Sequence, residues 1–500
     1  MFQKTLRKLS FAKILIVLFA CAVLALGSIF IINSKNISSP SPKPNQVYAA
    51  SSSTLNKNWK KLVEASVTSS SVSYSSFLSV TFTSDKSAVP STEGADAKNV
   101  VGTANVGCTD DEGTVVDPTS PITAYVIREI TSSGYKHSCI VYSAGTIYAP
   151  IDSSSLFSYS NNLILKNLNT SKATNMSSMF YDSDFSSIDL SLCTFDTSKV
   201  TNMASMFSRC CYLKALDLSA CTNFSTKLVT NMSYMFYGTD LTTAGSGSNY
   251  KLNFGRQTKF DTSNVTDMSY MFAGNYYNYS SDPVSEFTEI DLSIFKKQSS
   301  ANNQNFPEAK KLKSLRGMFS ECHYLTKVTW GQSFSTGDVT DMSYMFENCN
   351  ALKSFDASKL NTSSVTTMTE MFSGTGFTTA GATKCDLNFG TKFDVSNVTS
   401  FNGMFRGHEY NSGDSYYSTK LQSIDMSAWK CPTTKDTNKS VTFERMFYSC
   451  ENLISVNFGD NFTIPNATSF DSMFKYCTHI SDINFGKSFV PQSVTNFRYM

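Results

Sequence analysis

The stretch TNMASMFSRCCYLKALDL at residues 201–218 contains both of the patterns on which the fold depends. In its first half the apolar residues from Met203 to Cys210 fall at i, i+3, i+4 and i+7, which is the spacing of one face of a short helix. In its second half Leu216-Asp217-Leu218 alternates apolar and polar residues, as a half-buried strand does. The stretch therefore predicts a short helix, with Thr201 as its N-cap, followed by a short strand.

The Met-Phe pair inside this stretch returns through the rest of the chain at intervals of 26 to 47 residues. Ten copies are present, at Met179-Phe180, Met206-Phe207, Met235-Phe236, Met271-Phe272, Met318-Phe319, Met345-Phe346, Met371-Phe372, Met404-Phe405, Met446-Phe447 and Met473-Phe474. A recurring period of this length predicts a solenoid, in which each coil buries its apolar face only against its neighbours. Met500 holds the place of an eleventh motif Met, so we expect about eleven coils with the last one truncated.

Two of the insertions that lengthen the period are rich in Tyr and lie at equivalent places four coils apart. Their tyrosines are Tyr276, Tyr277, Tyr279, Tyr410, Tyr416 and Tyr417. Tyr offers a large contact area at a small cost in conformational entropy, so these insertions are candidate binding sites for a partner. The alternative is that they fold back over the coils and cover an exposed edge.

The N-terminal residues 1–32 are typical of an export signal, because four basic residues precede the apolar run 14–32. The length of that run lies between that of a cleaved signal peptide and that of a signal anchor, so both alternatives stay open. If the segment is not cleaved, residues 14–32 hold the chain in a membrane. We expect the remainder to be extracellular, either at the cell surface or secreted.

Three further segments follow the export signal. Residues 33–60 are rich in Ser, Pro and Asn and are predicted to form a linker. Residues 61–145 lack the Met-Phe repeat and are predicted to form a small β domain, with a hairpin that turns near Gly134. Residues 146–500 are assigned to the solenoid.

The charge balance argues against nucleic acid as a partner. The chain has 42 Lys and Arg against 40 Asp and Glu, and residues 1–50 carry six of the basic residues and no acidic one. The exported part is therefore slightly acidic, whereas a nucleic-acid-binding domain usually carries a strong basic patch.

Cysteines recur in register with the motif. Cys210, Cys322, Cys349, Cys450 and Cys477 each follow the motif Met by four residues. This position lies on the predicted core face, where a free Cys packs as a small apolar residue, so reduced thiols are favoured over disulfides. The one bridge that we predict joins Cys108 and Cys139.

The centres of the predicted strands form a second column of polar residues. Its members are Asp189, Asp217, Asn253, Asp291, Thr329, Asp356, Asn388, Asp425, Asn457 and Asn484. Stacked carboxylates are ligands that calcium prefers. A mixture of Asp, Asn and Thr on an outward strand face is more typical of a solvated ladder, so we favour the ladder.

Motifs of catalysis are absent from the sequence. It contains no His-Glu-x-x-His, no Gly-x-Ser-x-Gly, no phosphate loop and no paired Cys-x-x-Cys with a partner His. We therefore expect no catalytic residue, no cofactor and no metal ion, and we expect that the protein is not an enzyme.

The series Met-Phe-x-x-Cys, then Leu-Asp-Leu-Ser, then Asp-Thr-Ser-x-Val-Thr-x-Met resembles the BspA-like leucine-rich-repeat surface proteins of bacteria. The segments Met206–Leu218 and Asp261–Met271 carry the resemblance, which covers roughly residues 150–500. It implies a leucine-rich-repeat-like α+β solenoid with one short strand and one short helix per coil. Upstream of it we expect the N-terminal membrane or signal helix and the small β domain.

The resemblance also implies export, display at the cell surface and binding to protein or glycan on host or neighbouring cells. We therefore expect an adhesion protein. Two alternatives stay open: a self-associating structural protein of the cell envelope, and the targeting arm of an enzyme encoded beyond residue 500.

Overall fold

The structure covers an N-terminal β region and most of each coil. This computed structural model describes residues 53–67, 77–90, 98–108, 122–131, 134–239, 241, 251–253, 260–275, 287–294, 312–330, 334–377, 387–390, 393–407, 420–431 and 439–500. The apolar run 14–32, predicted as a signal or membrane helix, lies outside these residues. Within them, no helix has the length and apolar character that a membrane crossing requires.

The Met-Phe segment of each coil is a run of tight turns. In the coil that contains Met206, the backbone N–H groups of Met203, Ser205 and Phe207 donate to carbonyl oxygens of the next coil at 2.8–3.0 Å. The N–H groups between them close turns inside the coil, as the Met206 N–H does onto the Met203 carbonyl oxygen at 3.3 Å. Ser205 and Arg209 adopt left-handed φ angles of 56° and 61°. The segment is therefore bonded partly to its neighbour and partly to itself.

The predicted α+β class, with a short helix in each coil, is wrong. A helix directs each N–H to the carbonyl four residues earlier, whereas every second N–H in this segment pairs between coils. Left-handed residues four apart reverse the chain, so that the apolar residues Met203, Met206 and Phe207 are still buried. Apolar spacings of three and four thus arise without a helix. Among the described residues the one α-helix is α1, Trp59–Ala65.

Phenylalanine rings stack from coil to coil inside the Met-Phe segments. Neighbouring rings lie 5.1–6.3 Å apart between centroids, with planes within 23° of parallel, in the geometry that aromatic pairs prefer. The column consists of Phe157, Phe180, Phe207, Phe236, Phe272, Phe319, Phe346, Phe372, Phe405, Phe447 and Phe474. Its first member belongs to a coil that the Met-Phe pattern missed, because Leu156 stands in place of Met.

Short strands on another side of the coils pair in parallel. Those strands are β10 (Ala215–Asp217), β11 (Lys251–Asn253), β12 (Glu289–Asp291), β13 (Lys327–Thr329), β14 (Phe355–Asp356), β15 (Leu387–Asn388), β16 (Ser423–Asp425), β18 (Ser455–Asn457) and β20 (Asp482–Asn484). The sheets are β10-β11, β12-β13, β14-β15 and β16-β18-β20. Their register sets Asp425, Asn457 and Asn484 opposite one another, which confirms the predicted alignment of the strand centres. A further parallel pair, β17 (Val441–Thr442) with β19 (Ala467–Ser469), lies just before two Met-Phe segments.

The N-terminal β region forms two sheets that run into the coils. Its strands are β1 (Ser53–Leu55), β2 (Phe77–Thr83), β3 (Lys98–Asn105), β4 (Gly107–Cys108), β5 (Thr123–Thr131), β6 (Gly134–Tyr142), β7 (Ile147–Tyr148), β8 (Leu163–Leu165) and β9 (Leu168–Asn169). The sheet orders are β3-β5-β6-β2-β8 and β4-β1-β7-β9. Strands β5 and β6 form the predicted hairpin. Strand β1 and the start of α1 occupy residues 53–60, which the sequence assigns to the linker.

Helix α1 covers the carbonyl groups at the N-terminal end of the stack. The Trp59 indole N–H donates to the Leu156 carbonyl oxygen at 3.2 Å, and Lys60 Nζ donates to the Ser158 carbonyl oxygen at 3.2 Å. In the coils from Met179 to Met473 the carbonyl oxygens at these two places accept N–H groups of the preceding coil, as those of Met235 and Tyr237 do. Burial lowers the pKa of Lys60 to about 8, so the amine is still mostly charged at neutral pH. The helix thus supplies the hydrogen-bond donors that a preceding coil would provide to the first coil.

Replacing one ring of the column should destabilise the chain strongly. Phe236 is 1% exposed and packs between Phe207 and Phe272. We expect Phe236→Ala to lower the free energy of unfolding by about 3–5 kcal/mol, because it leaves a cavity between two coils. The control Tyr212→Ala, at a position 44% exposed, should change it by less than about 0.5 kcal/mol. Urea unfolding of both variants, followed by circular dichroism, decides; equal midpoints would contradict the packing role.

Removing the charged donor of the N-terminal cap should also lower stability. We expect Lys60→Met to reduce the free energy of unfolding by about 1–3 kcal/mol, because the partly buried Ser158 carbonyl oxygen loses its charged donor. The neighbouring Lys61 is exposed, so Lys61→Met is a matched control with the same change of charge. If thermal unfolding shows the same midpoint for both variants, Lys60 does not act as a cap.

Candidate interaction surface

A polar residue in front of each Met-Phe segment sets its first turn. In the Met206 coil the Asn202 side-chain oxygen accepts the backbone N–H of Ala204 at 3.0 Å. Equivalent residues form one parallel ladder through the coils: Asp152, Asn175, Asn202, Asn231, Asp267, Ser314, Asp341, Thr367, Ser400, Thr442, Ser469 and Asn496. The predicted N-cap role of Thr201 is wrong, because its hydroxyl donates to the Thr174 carbonyl oxygen of the preceding coil at 3.3 Å.

The first left-handed residue of each of these turns lies directly before the motif Met. We call these residues the left-handed column: Ser155, Ser178, Ser205, Tyr234, Tyr270, Gly317, Tyr344, Glu370, Gly403, Arg445, Ser472 and Tyr499. Their φ angles lie between 51° and 60°. A bulky residue in this conformation costs on the order of 1–3 kcal/mol, yet four of the twelve are tyrosines. The left-handed column therefore carries large side chains although its backbone conformation disfavours them.

Tyrosines of neighbouring coils pack on one another along this column. The rings of Tyr234 and Tyr270 stack with centroids 4.9 Å apart, and Tyr237 lies 5.6 Å from Tyr234. A β-carbon at Gly317, the next column position, would lie 2.2 Å from the Tyr270 ring. Gly317 thus leaves room for that ring, and the tyrosines form a continuous aromatic surface.

A cation extends this aromatic surface into the following coils. The Arg316 guanidinium lies 4.6 Å from the centroid of the Tyr344 ring. Its Nη1 atom is also 3.5 Å from Asp341 Oδ2, so the charge is partly balanced. Arg316 belongs to the coil that lies between those of Tyr270 and Tyr344.

Three glutamates lie on three successive coils, one of which also carries Tyr344. Glu321, Glu347 and Glu370 lie on the Met318, Met345 and Met371 coils, and Ser320 Oγ donates to Glu347 Oε2 at 3.0 Å. Burial raises the pKa of Glu347 to about 7, and repulsion from Glu321 and Glu370 adds to the effect. Glu347 therefore changes its charge near neutral pH.

A second aromatic group lies on the last coils. The Tyr448 and Tyr476 rings meet edge to face at 5.3 Å. Arg406, Arg445 and Lys475, from three coils, lie 5.5–5.9 Å from the centroid of the Tyr448 ring. The surface therefore carries tyrosines at both ends, with acidic residues between them and cations concentrated at the second end.

The sequence patterns did not reveal this surface, although a signal was present. Aligning the coils on the motif Met sets Tyr234, Tyr270 and Tyr344 one residue before it. On a helix that position carries no special meaning, whereas in a left-handed turn a Tyr there is unusual. The wrong secondary structure thus concealed the column.

The site residues that the sequence predicts are only partly within the described residues. Cys139 is a buried free thiol of β6, and desolvation raises its pKa to about 12. The structure thus lends no support to the Cys108–Cys139 bridge. The side chain of Cys108 lies outside the described residues. So do the six predicted binding tyrosines, which are Tyr276, Tyr277, Tyr279, Tyr410, Tyr416 and Tyr417.

The repeat cysteines are free, as the sequence predicts, and act as hydrogen-bond donors. Cys210 Sγ donates to the Phe180 carbonyl oxygen of the preceding coil at 3.0 Å. The same contact, at 2.9–3.1 Å, is made by Cys322, Cys349, Cys450 and Cys477. Burial raises the pKa of all five thiols, which keeps them protonated. They are structural groups, not reactive ones.

The polar column on the strands consists of turns and a ladder. Asp217 Oδ1 accepts the backbone N–H of Ser219 at 2.8 Å. The Asn457 amide donates to Asp425 Oδ1 at 3.1 Å, and the Asn484 amide donates to Asn457 Oδ1 at 2.9 Å. Over the part of the chain that the structure describes, no group of three or more His, Cys, Asp and Glu is arranged to hold a metal ion.

The Glu347 site should make stability depend on pH. The folded-state pKa near 7 exceeds the value of 4.5 for a free glutamate, so stability falls as pH rises from 4.5 to 7. We expect Glu347→Gln to raise the melting temperature at pH 8 and to leave it unchanged at pH 4. The control Glu451→Gln, at an exposed position, should do neither. Calorimetry at both pH values tests this, and a Glu347→Gln effect independent of pH would contradict it.

One family model matches the repeated part of the chain. It is described as "Mycoplasma protein of unknown function, DUF285" and matches residues 152–253, 248–302, 292–416 and 382–484. Neither a curated protein nor a solved structure matches the chain. The four matches follow one another along the coils and together cover well over half of the chain. The chain therefore belongs to the family of Mycoplasma proteins of unknown function, DUF285.

Proposed function

We propose that this chain is an exported adhesion protein that binds macromolecules of host or neighbouring cells at the cell surface. The left-handed column is the observation that carries the proposal. Its tyrosines occupy a backbone conformation that disfavours them, and they form an aromatic surface across adjacent coils. Tyr and Arg side chains supply much of the binding energy in protein interfaces.

The N-terminal sequence supports export. Basic residues precede the apolar run 14–32, which is the order found in signal peptides and signal anchors. The resemblance of the repeats to BspA-like bacterial surface proteins supports the same location and role. That resemblance now concerns the role alone, because the coils contain turns where a helix was expected.

Stacked coils suit binding at several weak sites. Tyr234 and Tyr270 lie at one place on adjacent coils, and Tyr344 lies at the same place two coils further on, so one extended partner can contact them together. Weak contacts that form together give a high overall affinity. The Tyr-rich insertions, at residues 274–286 and 407–419, are proposed as additional contacts.

Replacing the column tyrosines should abolish most of the adhesion. The test variant carries Tyr234→Ser, Tyr270→Ser and Tyr344→Ser in the full chain; Ser178 and Ser205 show that this backbone accepts Ser. We expect beads coated with the variant to bind a cultured epithelial monolayer about tenfold less than beads with the unchanged chain. The matched control carries Tyr212→Ser and Tyr324→Ser, at exposed positions outside the column, and should bind normally.

Two further experiments test the role of the insertions and the export of the chain separately. Replacement of 274–286 and 407–419 by Gly-Ser segments of equal length measures the share of the insertions. Protease added to intact cells that express the chain should degrade it if it is exported. The unchanged chain failing to bind any cell monolayer would refute adhesion, whereas normal binding by the triple variant would refute the site.

A further inference from the structure

Three positive charges from three coils surround the ring of Tyr448. Arg406 and Arg445 lie 5.5 and 5.9 Å from the ring centroid, and Lys475 lies 5.6 Å from it. The ring is 6% exposed, so it forms the floor of the group and not its outer surface. A cation near an aromatic face is stabilised, but three around one ring also repel one another.

Few carboxylates offset this repulsion. Arg406 Nη1 lies 3.9 Å from Glu370 Oε1, which balances one of the three charges. Within the described residues neither Arg445 nor Lys475 has a carboxylate oxygen within 4 Å. Glu444 and Asp471 are nearby in sequence, and Ser472 Oγ donates to Asp471. Two cations thus remain available to an anionic partner.

Two exposed tyrosine side chains adjoin these cations. Lys475 Nζ lies 4.7 Å from the centroid of the Tyr476 ring and 4.8 Å from that of Tyr499. Those two side chains are 53% and 56% exposed. A partner that presents anionic groups beside apolar C–H faces would contact both kinds of side chain at once.

We propose that the Tyr448 patch, formed by Arg406, Arg445, Tyr448, Lys475, Tyr476 and Tyr499, binds an acidic polysaccharide. Carboxylates of the polymer pair with Arg445 and Lys475, and its sugar rings lie on Tyr476 and Tyr499. The assignment rests on the proposed adhesive function and names the class of ligand for one end of the surface.

The charge of the chain favours a polysaccharide over a nucleic acid. Nucleic-acid binding depends on the neutralisation of many closely spaced phosphates. Only a few cations converge here, and beyond residue 50 acidic residues slightly outnumber basic ones. A polysaccharide with one carboxylate on alternate sugars presents few charges and several apolar ring faces, which matches the composition of the patch.

Binding of purified hyaluronan decasaccharide to the full chain tests the assignment. The patch variant carries Arg445→Ser and Lys475→Ser; Ser472 occupies the same column position as Arg445, so the backbone accepts the change. The matched control carries Lys214→Ser and Lys353→Ser, with the same loss of charge at exposed positions outside the patch. We expect at least about tenfold weaker binding by the patch variant, and unchanged binding by the control. Tyr476→Ser with Tyr499→Ser should weaken binding as well.

The outcomes are distinct. Calorimetry that detects no hyaluronan binding, or equal losses in the patch and control variants, overturns the assignment. Tighter binding of a single-stranded thymidine oligonucleotide of equal charge also overturns it, because the patch would then recognise charge alone. Adhesion to cells that persists while hyaluronan is not bound refutes this inference and leaves the adhesive function standing.

Discussion

Every second backbone N–H of the Met-Phe segment donates to the next coil, and the other features depend on that pairing. It sets adjacent coils at roughly the 4.8 Å spacing of paired strands, which stacks the phenylalanine rings. It also leaves the intervening N–H groups to close turns, and these turns need a left-handed residue in each coil. Because all these bonds point the same way, one end of the stack presents carbonyl oxygens, and helix α1 supplies donors for them.

A surface residue and a buried residue are therefore direct neighbours in the sequence of a coil. At Tyr234-Met235-Phe236 the Met and Phe are buried, while the Tyr in front of them lies on the surface. The left-handed φ angle of Tyr234 produces this arrangement, because it turns one side chain outward between inward ones. At column positions with exposed side chains, such as Tyr234 and Arg445, the side chain lies outside the packing of the core. The candidate surface and the Tyr448 patch consist mainly of such positions and their neighbours.

Part of this arrangement could be predicted from the sequence. The Met-Phe interval gave the coil boundaries, and the alternation at Leu216-Asp217-Leu218 gave the strand register with Asn253. The helix was predicted wrongly because spacings of three and four also arise when two left-handed residues, such as Ser205 and Arg209, lie four residues apart within a coil. The periodicity of apolar residues indicates which side chains face inward, but it does not indicate which carbonyl oxygen accepts each backbone N–H. The surface depends on that choice, so it could not be found before the turns were known.

The left-handed column has a consequence for how such a protein can change. A substitution at Arg445 or Tyr270 changes the outer surface, while the buried Phe column at Phe272 and Phe447 is untouched. Ser, Gly, Tyr, Arg and Glu all occupy the column in this one chain, so the backbone tolerates very different side chains there. Side chains at the column positions can therefore be exchanged while the buried part of each coil stays the same. The outer surface then changes one coil at a time, without redesign of the interior.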